Sequence, residues 1–474
     1  MPLPSNGDPN PGLALDYNRY QSYANASFQE EQLVMLRKTC PKHFVTTNNV
    51  GAPLDNLDLH ELYKNLDFAS PDNYPGFAQM FFPGPPEVLA MMISLGLDSM
   101  RCVKDKPFMV MEEQSGKAGQ SFFSPPPRKG QIRLWTYQAF AHGAMALNYF
   151  RWDTANFGAE EYWHGLLNHD RSKSPSFDEI QQTVKEIKAL GPEMLHAAYP
   201  ASAAVFFDLD SDWATTVQPG NSKLTYMSQM IPWYSAVASA HVGIDVIQPE
   251  SDLSRYRAVF APLPYVVSAT AAANIRKFVE DGGLFVRGFR LGVKDVYSQI
   301  VRTPLPGLLR EVMGATVKDY GPIYNEKIGV EFSGMLAGPA ADCSMWADVL
   351  KAGTATALGT YNGGAYAGEP AITVNSLGKG KAVYIGTGLD PVSLGRIVGA
   401  LLATNGVRAP FDVPFGVELC IRKSATAQWF FLLNHTGASQ AVTLPFQCKD
   451  LLTGTTHSGK IGLDEYGVRV LQPA

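Results

Sequence analysis

Two adjacent glutamates, Glu112 and Glu113, follow an apolar run in the stretch FMVMEEQSG, residues 108–116. The apolar run predicts a buried β-strand. Burying an unpaired charge in such a strand costs roughly several kcal/mol, so the glutamates are expected at its carboxyl end. A carboxylate in that position is either solvated in a loop or directed into a site.

Other polar and aromatic side chains in the first 200 residues could belong to the same site. They are Asp72, Asn73, Tyr74, Arg151, Trp152, Glu160, Trp163 and His164. Such a mixture suits a sugar, because the C–H face of a sugar lies on an aromatic ring while its hydroxyls bond to acids and amides. The alternative interpretation is that these residues are solvated loop charges and core aromatics, which are common without any function.

Helix-like and strand-like segments alternate up to about residue 198. Each predicted strand ends in polar residues, which are Thr47 and Asn48, Asp72 and Asn73, Glu112 and Glu113, and Arg151 and Asp153. Polar strand ends in repeated strand–helix units are typical of the catalytic rim of a (β/α) barrel. Only four such units are visible, whereas a closed barrel needs eight. Residues 1–22, which are rich in proline, are predicted to be irregular.

The pattern restarts near residue 200. Short apolar runs such as SAAVFFDLD and GGLFVRGF, separated by helical patterns, predict a doubly wound α/β domain. The segment GKGKA (378–382) precedes a strand and not a helix, so it is predicted to be a hairpin turn and not a phosphate loop. Alternating residues after 410 predict a small antiparallel β domain. The predicted domains are 1–198, 199–410 and 411–474.

The overall composition excludes several classes of function. A net charge of −5 and a pI near 6.0 indicate neither a nucleic acid nor a membrane partner. The five cysteines are scattered without a CxxC pair, which indicates neither a zinc site nor a disulfide framework. No cofactor motif is found. The amino-terminal residues lack the apolar run of a signal peptide, and a cytoplasmic location is expected.

Several motifs closely resemble those of the glycoside hydrolase family 42 β-galactosidases. They are DFASPDNYP, PFMVMEEQSG, GQIRLWTYQAFAHGA, NYFRWD and FGAEEYWHGLLNHD. Later segments, including FVEDGGLFVRGFRLGVKD, look like the middle, trimerisation domain of that family. The resemblance covers essentially the whole chain in order. It implies a homotrimer that acts on a β-galactoside or a related oligosaccharide.

The resemblance also implies roles for particular residues. Glu112 occupies the place of the catalytic nucleophile at the end of barrel strand seven. In a retaining glycosidase, a second carboxyl about 5–5.5 Å away protonates the leaving oxygen. Glu113 stands where the family commonly has glutamine, and strand alternation predicts that it points away from Glu112.

The remaining matched positions concern the galactose pocket. Tyr74 and Glu160 match residues that line it, and Arg151 lies at the end of the last barrel strand. Trp163 stands where the family has a histidine, and His164 is beside it. The stretch KAGQSFF replaces a family segment whose tryptophan packs on the sugar, so strict galactose specificity is not implied.

The family's barrel strands one to four, and the acid/base glutamate after strand four, have no counterpart in this sequence. The predicted fold is therefore a partial (β/α)8 TIM barrel (strands five to eight), then a doubly wound α/β domain and a small antiparallel β domain. An enzyme of this kind needs the missing half, from a separate N-terminal half-barrel chain or from a longer gene. The alternative hypothesis is a non-catalytic remnant that serves as an assembly or sugar-binding protein. Unpaired barrel strands would expose sheet edges and apolar faces, which favours the enzyme with a missing part.

Overall fold

The computed structural model describes residues 7–50, 56–82 and 84–473. Contacts divide the chain into two compact units. The first unit combines Met1–Asn25 with Ala201–Arg408, and the second combines Ala26–Pro200 with Ala409–Ala474. The three predicted domains stay a prediction. Within the described ranges, no helix has the length and apolar character needed to cross a bilayer.

The prediction that residues 1–22 are irregular is wrong from Pro11 onwards, where helix α1 (Pro11–Thr39) begins. Residues 1–6 lie outside the described residues. Proline suits the first position of a helix, because the N–H that it lacks would have no partner there. The side chain of Asn10 accepts a 3.1 Å hydrogen bond from the Leu13 N–H and so caps the first turn.

Helices alternate with short parallel strands in the second unit up to residue 200. The helices are α2 (Leu59–Tyr63), α3 (Pro75–Ala78), α4 (Pro86–Lys104), α5 (Gln131–Ala141) and α6 (Phe177–Leu195). The strands β1 (Asp72–Asn73), β2 (Phe108–Gln114) and β3 (Ala144–Phe150) form a parallel sheet in that order. The predicted strand around residue 47 is reduced to an isolated parallel bridge between Asn49 and Pro71. Parallel strands joined by helices confirm the α/β architecture predicted here.

Strand β2 shows how this sheet directs its side chains. Phe108 and Val110 are fully buried in the main core of the unit, whereas Met109 and Met111, which alternate with them, are only partly buried. Successive side chains of a strand point to opposite faces, so one face of β2 is covered and the other is less so. The strand then carries Glu112 to its carboxyl end.

Five parallel strands form one side of the sheet in the first unit. They are β4 (Ala203–Phe206), β5 (Ile244–Ile247), β6 (Ala258–Ala261), β7 (Leu284–Arg287) and β13 (Gly380–Ile385), in the spatial order β13-β7-β6-β4-β5. The helices of this unit are α7 (Leu209–Val217), α8 (Tyr226–Ala238), α9 (Ala269–Glu280), α10 (Arg310–Met313) and α11 (Pro391–Thr404). Strands β4 to β7 are buried at every position, which explains their continuous apolar runs.

The same sheet continues into antiparallel strands that the sequence analysis did not predict. They are β8 (Ala315–Ile323), β9 (Gly329–Phe332), β10 (Ala341–Ala352), β11 (Thr356–Tyr361), β12 (Pro370–Leu377) and β14 (Thr387–Leu389). The prediction of a doubly wound α/β domain therefore describes only the part of this sheet that is formed by the five parallel strands. The hairpin predicted at GKGKA is confirmed, because β12 and β13 are antiparallel neighbours. The pair of residues next to the turn is Leu377 and Gly380. Gly378 in the turn has a φ of +59°, which glycine adopts readily.

The carboxyl-terminal strands form a five-stranded antiparallel sheet, as predicted. They are β15 (Val417–Lys423), β16 (Gln428–Asn434), β17 (Gln440–Asp450), β18 (Thr456–Leu463) and β19 (Val468–Pro473), in the order β15-β16-β19-β17-β18. Phe431 and Leu433 of β16 join the core shared with Phe108 and Val110. Phe430 and Leu432 lie in a separate core on the other face. Both faces of this strand are therefore buried within the second unit.

Candidate functional site

Glu112 lies near the carboxyl end of β2, opposite Asp72 of β1 in the parallel register. Its carboxylate has two partners. The Tyr74 hydroxyl donates a 2.7 Å hydrogen bond to Oε2, and the Asn48 amide donates one of 3.1 Å to Oε1. The carboxylate is therefore held in one orientation by donors from two neighbouring segments of the sheet. Glu112 is therefore not a free loop charge.

Asn48 also donates a 2.9 Å hydrogen bond to Oδ1 of Asp72. A single amide thus connects two carboxylates that are register partners in adjacent strands. The sequence analysis noted Asn48 as a polar strand end but did not include it among the site residues. Its position after an apolar stretch was the only available signal.

Tyr74 and Trp163 form the aromatic wall beside Glu112. Burial, together with the hydrogen bond and the negative charge of Glu112, raises the pKa of the Tyr74 phenol, which therefore stays a donor. The ring of Trp163 meets that of Tyr74 edge to face, with centroids 5.0 Å apart. Its indole Nε1–H is buried and has no hydrogen-bond acceptor among the described residues.

Arg151 and Glu160 interact with each other, at the end of β3 and in the loop that follows. Arg151 donates a 2.9 Å hydrogen bond from Nη2 to the Glu160 carbonyl oxygen, and its Nη1 lies 3.7 Å from Glu160 Oε2. The Nε–H of Arg151 is buried without an acceptor in the described part of the chain. The Glu160 side chain is 48% exposed, so its carboxylate is open to solvent.

His164 lies against the loop that follows β2. Its backbone N–H donates a 2.9 Å hydrogen bond to the Lys117 carbonyl, and its carbonyl accepts one from the Ser115 hydroxyl. The ring nitrogen Nδ1 is 2.7 Å from the Tyr162 carbonyl, and desolvation lowers the pKa of the imidazole. The structure thus ties His164 to the loop after the strand that carries Glu112, and the Tyr162 carbonyl is the partner of its ring.

Glu113 has an environment different from that of its neighbour. The side chain is fully buried, Oε2 accepts a 2.9 Å hydrogen bond from Asn73 Nδ2, and Oε1 has no partner among the described residues. Burial raises the pKa of Glu113 to about 8. The two glutamates have separate partners, as strand alternation predicted. Burial therefore favours the neutral acid form of Glu113 at pH 7.

Three protein-family models match the chain in sequence order. A model described as "Beta-galactosidase" matches residues 1–190, one described as "Beta-galactosidase trimerisation domain" matches residues 201–408, and one described as "Beta-galactosidase C-terminal domain" matches residues 416–473.

Curated proteins with similar sequences are also named β-galactosidases. The β-galactosidase BgaA of Clostridium cellulovorans is 30% identical over 473 residues, which cover 99% of this chain and 70% of that protein. The β-galactosidase LacZ of Heyndrickxia coagulans is 31% identical over 467 residues, which cover 98% of this chain and 68% of that protein.

Solved structures of similar proteins superpose closely. The β-galactosidase from Bacillus circulans sp. alkalophilus has a TM-score of 0.91 at 31% identity, with 99% of this chain and 70% of that chain covered. A catalytic mutant of Gan42B, a GH42 β-galactosidase from G. stearothermophilus, has a TM-score of 0.93 at 29% identity, with coverage of 100% and 70%.

Proposed function

The chain belongs to the glycoside hydrolase family 42 β-galactosidases, and we propose that it acts as a retaining hydrolase of terminal β-D-galactosides with Glu112 as its nucleophile. The observation that carries this proposal is the position of the Glu112 carboxylate at a strand's carboxyl end, held by Tyr74 and Asn48. In α/β barrels, catalytic side chains come from that end of the strands.

The chemistry of this proposal is that of a retaining glycosidase. The Glu112 carboxylate attacks the anomeric carbon, and the aglycone oxygen leaves as a second carboxylic acid gives it a proton. A glycosyl ester forms on Glu112, and water releases the sugar with the same anomeric configuration. Tyr74 and Asn48 orient the attacking oxygen, and fixing a reacting group in this way contributes to the rate.

The surrounding residues bind the sugar in this proposal. The rings of Tyr74 and Trp163 provide an apolar surface, and the Trp163 indole N–H donates to a sugar hydroxyl. Arg151 offers the unpartnered Nε–H, while the exposed carboxylate of Glu160 accepts from a hydroxyl. His164 supports the loop after β2. These assignments are supported by the orphaned donors of Trp163 and Arg151.

We further propose that the acid/base carboxyl and the rest of the barrel come from residues outside this sequence. The described residues contribute three paired parallel strands and one bridge at Asn49, whereas a barrel of this class has eight strands. The curated relatives are longer, since the match covers about 70% of BgaA. A longer polypeptide or a separate N-terminal half-barrel chain would supply the remainder, and residues 201–408 would assemble the protein as a homotrimer.

A mechanism-based label tests the assignment of Glu112. A 2-deoxy-2-fluoro-β-galactoside with a dinitrophenyl leaving group needs little protonation to react, so it reports on the nucleophile without the acid/base group. We expect a 2-fluorogalactosyl adduct on Glu112, located by mass spectrometry of the peptide that contains residues 108–116. Glu112→Gln should abolish the adduct, whereas Glu113→Gln should keep it. An adduct on a different carboxylate would disprove the assignment.

A further inference from the structure

A second cluster of functional side chains lies in the same unit but uses none of the residues of the proposed active site. It combines His142, the residue after α5, with Glu418 and Cys420 of β15. The nearest ring nitrogen, carboxylate oxygen and sulfur of these residues all lie within 4.8 Å of one another. Nitrogen, oxygen and sulfur donors grouped in this way are those that Zn²⁺ prefers.

The imidazole of His142 is oriented by a carboxylate on its far side. Nδ1 lies 2.6 Å from Oδ1 of Asp98, a fully buried residue of α4 that also accepts a hydrogen bond from Arg101. Nε2 therefore points towards Glu418 and Cys420. A carboxylate behind a histidine is the usual arrangement of metal-ligating histidines, because it fixes the tautomer and raises the basicity of the ligand nitrogen.

The spacing of the donors suits a tetrahedral ion. Zinc bonds of about 2.0–2.3 Å place neighbouring ligand atoms about 3.3–3.7 Å apart. His142 Nε2 lies 3.4 Å from Cys420 Sγ, within this range, and 2.9 Å from Glu418 Oε1. A movement of a few tenths of an ångström by the Glu418 carboxylate would complete the geometry. We propose that His142, Glu418 and Cys420 form a zinc site.

The cluster also has a route for the ion and a fourth ligand position. The Glu418 side chain is 19% exposed, and its Oε2 is 2.9 Å from Nε2 of His435. His435 and Gln138, which are both in hydrogen-bond contact with Glu418, line a cavity of about 200 Å³, and through it water and a metal ion would reach the site. Water or His435 would occupy the fourth position. The ion would tie strand β15 to His142, which follows α5, and His142 in turn contacts Asp98 of α4.

Sequence spacing predicted no metal site because Cys420 and His142 are 278 positions apart. The competing explanation for the cluster is a metal-free network of ion pairs and hydrogen bonds, in which Ser94 and Gln138 also donate to Glu418. The two explanations differ in the state of the Cys420 sulfur. In the zinc site Cys420 is a bound thiolate, whereas in the network it is a thiol.

Cobalt substitution separates the two explanations. The purified chain is stripped with a chelator and titrated with Co²⁺, and the thiolate-to-cobalt charge-transfer band is recorded. We expect one Co²⁺ per chain, displaced by Zn²⁺. Cys420→Ser should remove the band and weaken binding at least about tenfold, and Asp98→Asn should weaken it about 10- to 100-fold. Cys448→Ser changes another buried cysteine of the same sheet, and it should leave the charge-transfer band and the Co²⁺ affinity unchanged.

Absence of stoichiometric Co²⁺ binding by the wild-type chain would overturn the proposal. So would a band that survives in Cys420→Ser or disappears in Cys448→Ser. If Cys420→Ser does not fold, X-ray absorption of the zinc-loaded wild-type chain distinguishes the zinc site from the metal-free network. We expect one sulfur at about 2.3 Å together with nitrogen and oxygen ligands at about 2.0–2.2 Å. A zinc shell without sulfur, or with more than one sulfur, would also overturn it.

Discussion

The hydroxyl of Tyr74 donates a 2.7 Å hydrogen bond to Oε2 of Glu112. Tyr74 follows β1 directly and Glu112 lies near the end of β2, so the bond joins the carboxyl ends of two adjacent parallel strands. The raised pKa of the phenol keeps its proton in place to high pH. The proposed nucleophile therefore has a permanent donor on the oxygen opposite to the one that Asn48 contacts.

Tyr74→Phe removes this donor and keeps the aromatic ring. A hydrogen bond to a charged group contributes about 1.5–3 kcal/mol, so we expect kcat to fall about 10- to 100-fold in the competent assembly, with a smaller change in KM. Hydrolysis of an aryl β-galactoside measures both constants. Tyr162→Phe is the matched control, because it removes a hydroxyl from a 43% exposed tyrosine and should leave the rates unchanged. Equal rates for Tyr74→Phe and wild type would contradict the positioning role.

We expect Glu113 to make the stability of the fold depend on pH. Burial raises the pKa of this carboxyl to about 8 from an ordinary value of 4.5. The unfolded chain therefore loses the proton at a lower pH than the folded chain does. The contribution of Glu113 to stability is fully present below pH 4.5 and is lost as the pH rises to about 8, by as much as about 5 kcal/mol.

Glu113→Gln should remove this pH dependence, because the amide is uncharged and can accept the same hydrogen bond from Asn73. We expect the variant to melt at a higher temperature than the wild type at pH 8 and at a similar temperature at pH 5. Calorimetric melting curves at several pH values measure the difference. Glu465→Gln, a change at an exposed glutamate, is the control and should follow the wild type. A constant difference between Glu113→Gln and wild type at every pH would show that Glu113 does not titrate in this way.

We expect this chain, expressed by itself, not to cleave lactose at an enzymatic rate. Acid/base catalysis contributes about 10²–10⁴-fold, and the poor leaving group of lactose depends on it. Activated aryl galactosides need little protonation and should show a trace of reaction that depends on Glu112. Lactose hydrolysis at several turnovers per second by the purified chain would mean that a carboxyl of this sequence, such as Asp72 or Glu160, acts as the acid.

The middle domain is expected to make the chain a homotrimer. Residues 201–408 match the trimerisation-domain model, and Tyr297 and Ile300 in this region are 65% and 66% exposed. Sedimentation equilibrium should give three times the chain mass of 51.6 kDa. A strict monomer at micromolar concentration would count against this assembly.

Local patterns in the sequence were sufficient for much of the fold. The apolar run before Glu112 predicted a buried strand with a carboxylate at its end, and alternation predicted separate environments for Glu112 and Glu113. The glycine and lysine at 378–379 predicted the hairpin between β12 and β13. These features depend on neighbouring residues, whose spacing along the chain directly determines which face of a strand or which turn they occupy.

Contacts between distant residues were decided only by the tertiary structure. Asn48 meets Glu112 across 64 positions, and His142 meets Glu418 across 276. No local periodicity indicates such pairs, because they arise when separately formed elements pack together. The neutral state of Glu113 has the same origin, since its raised pKa results from burial by surrounding elements. The sequence determined which residues can do chemistry, and the packing of elements decided which of them meet and in which protonation state.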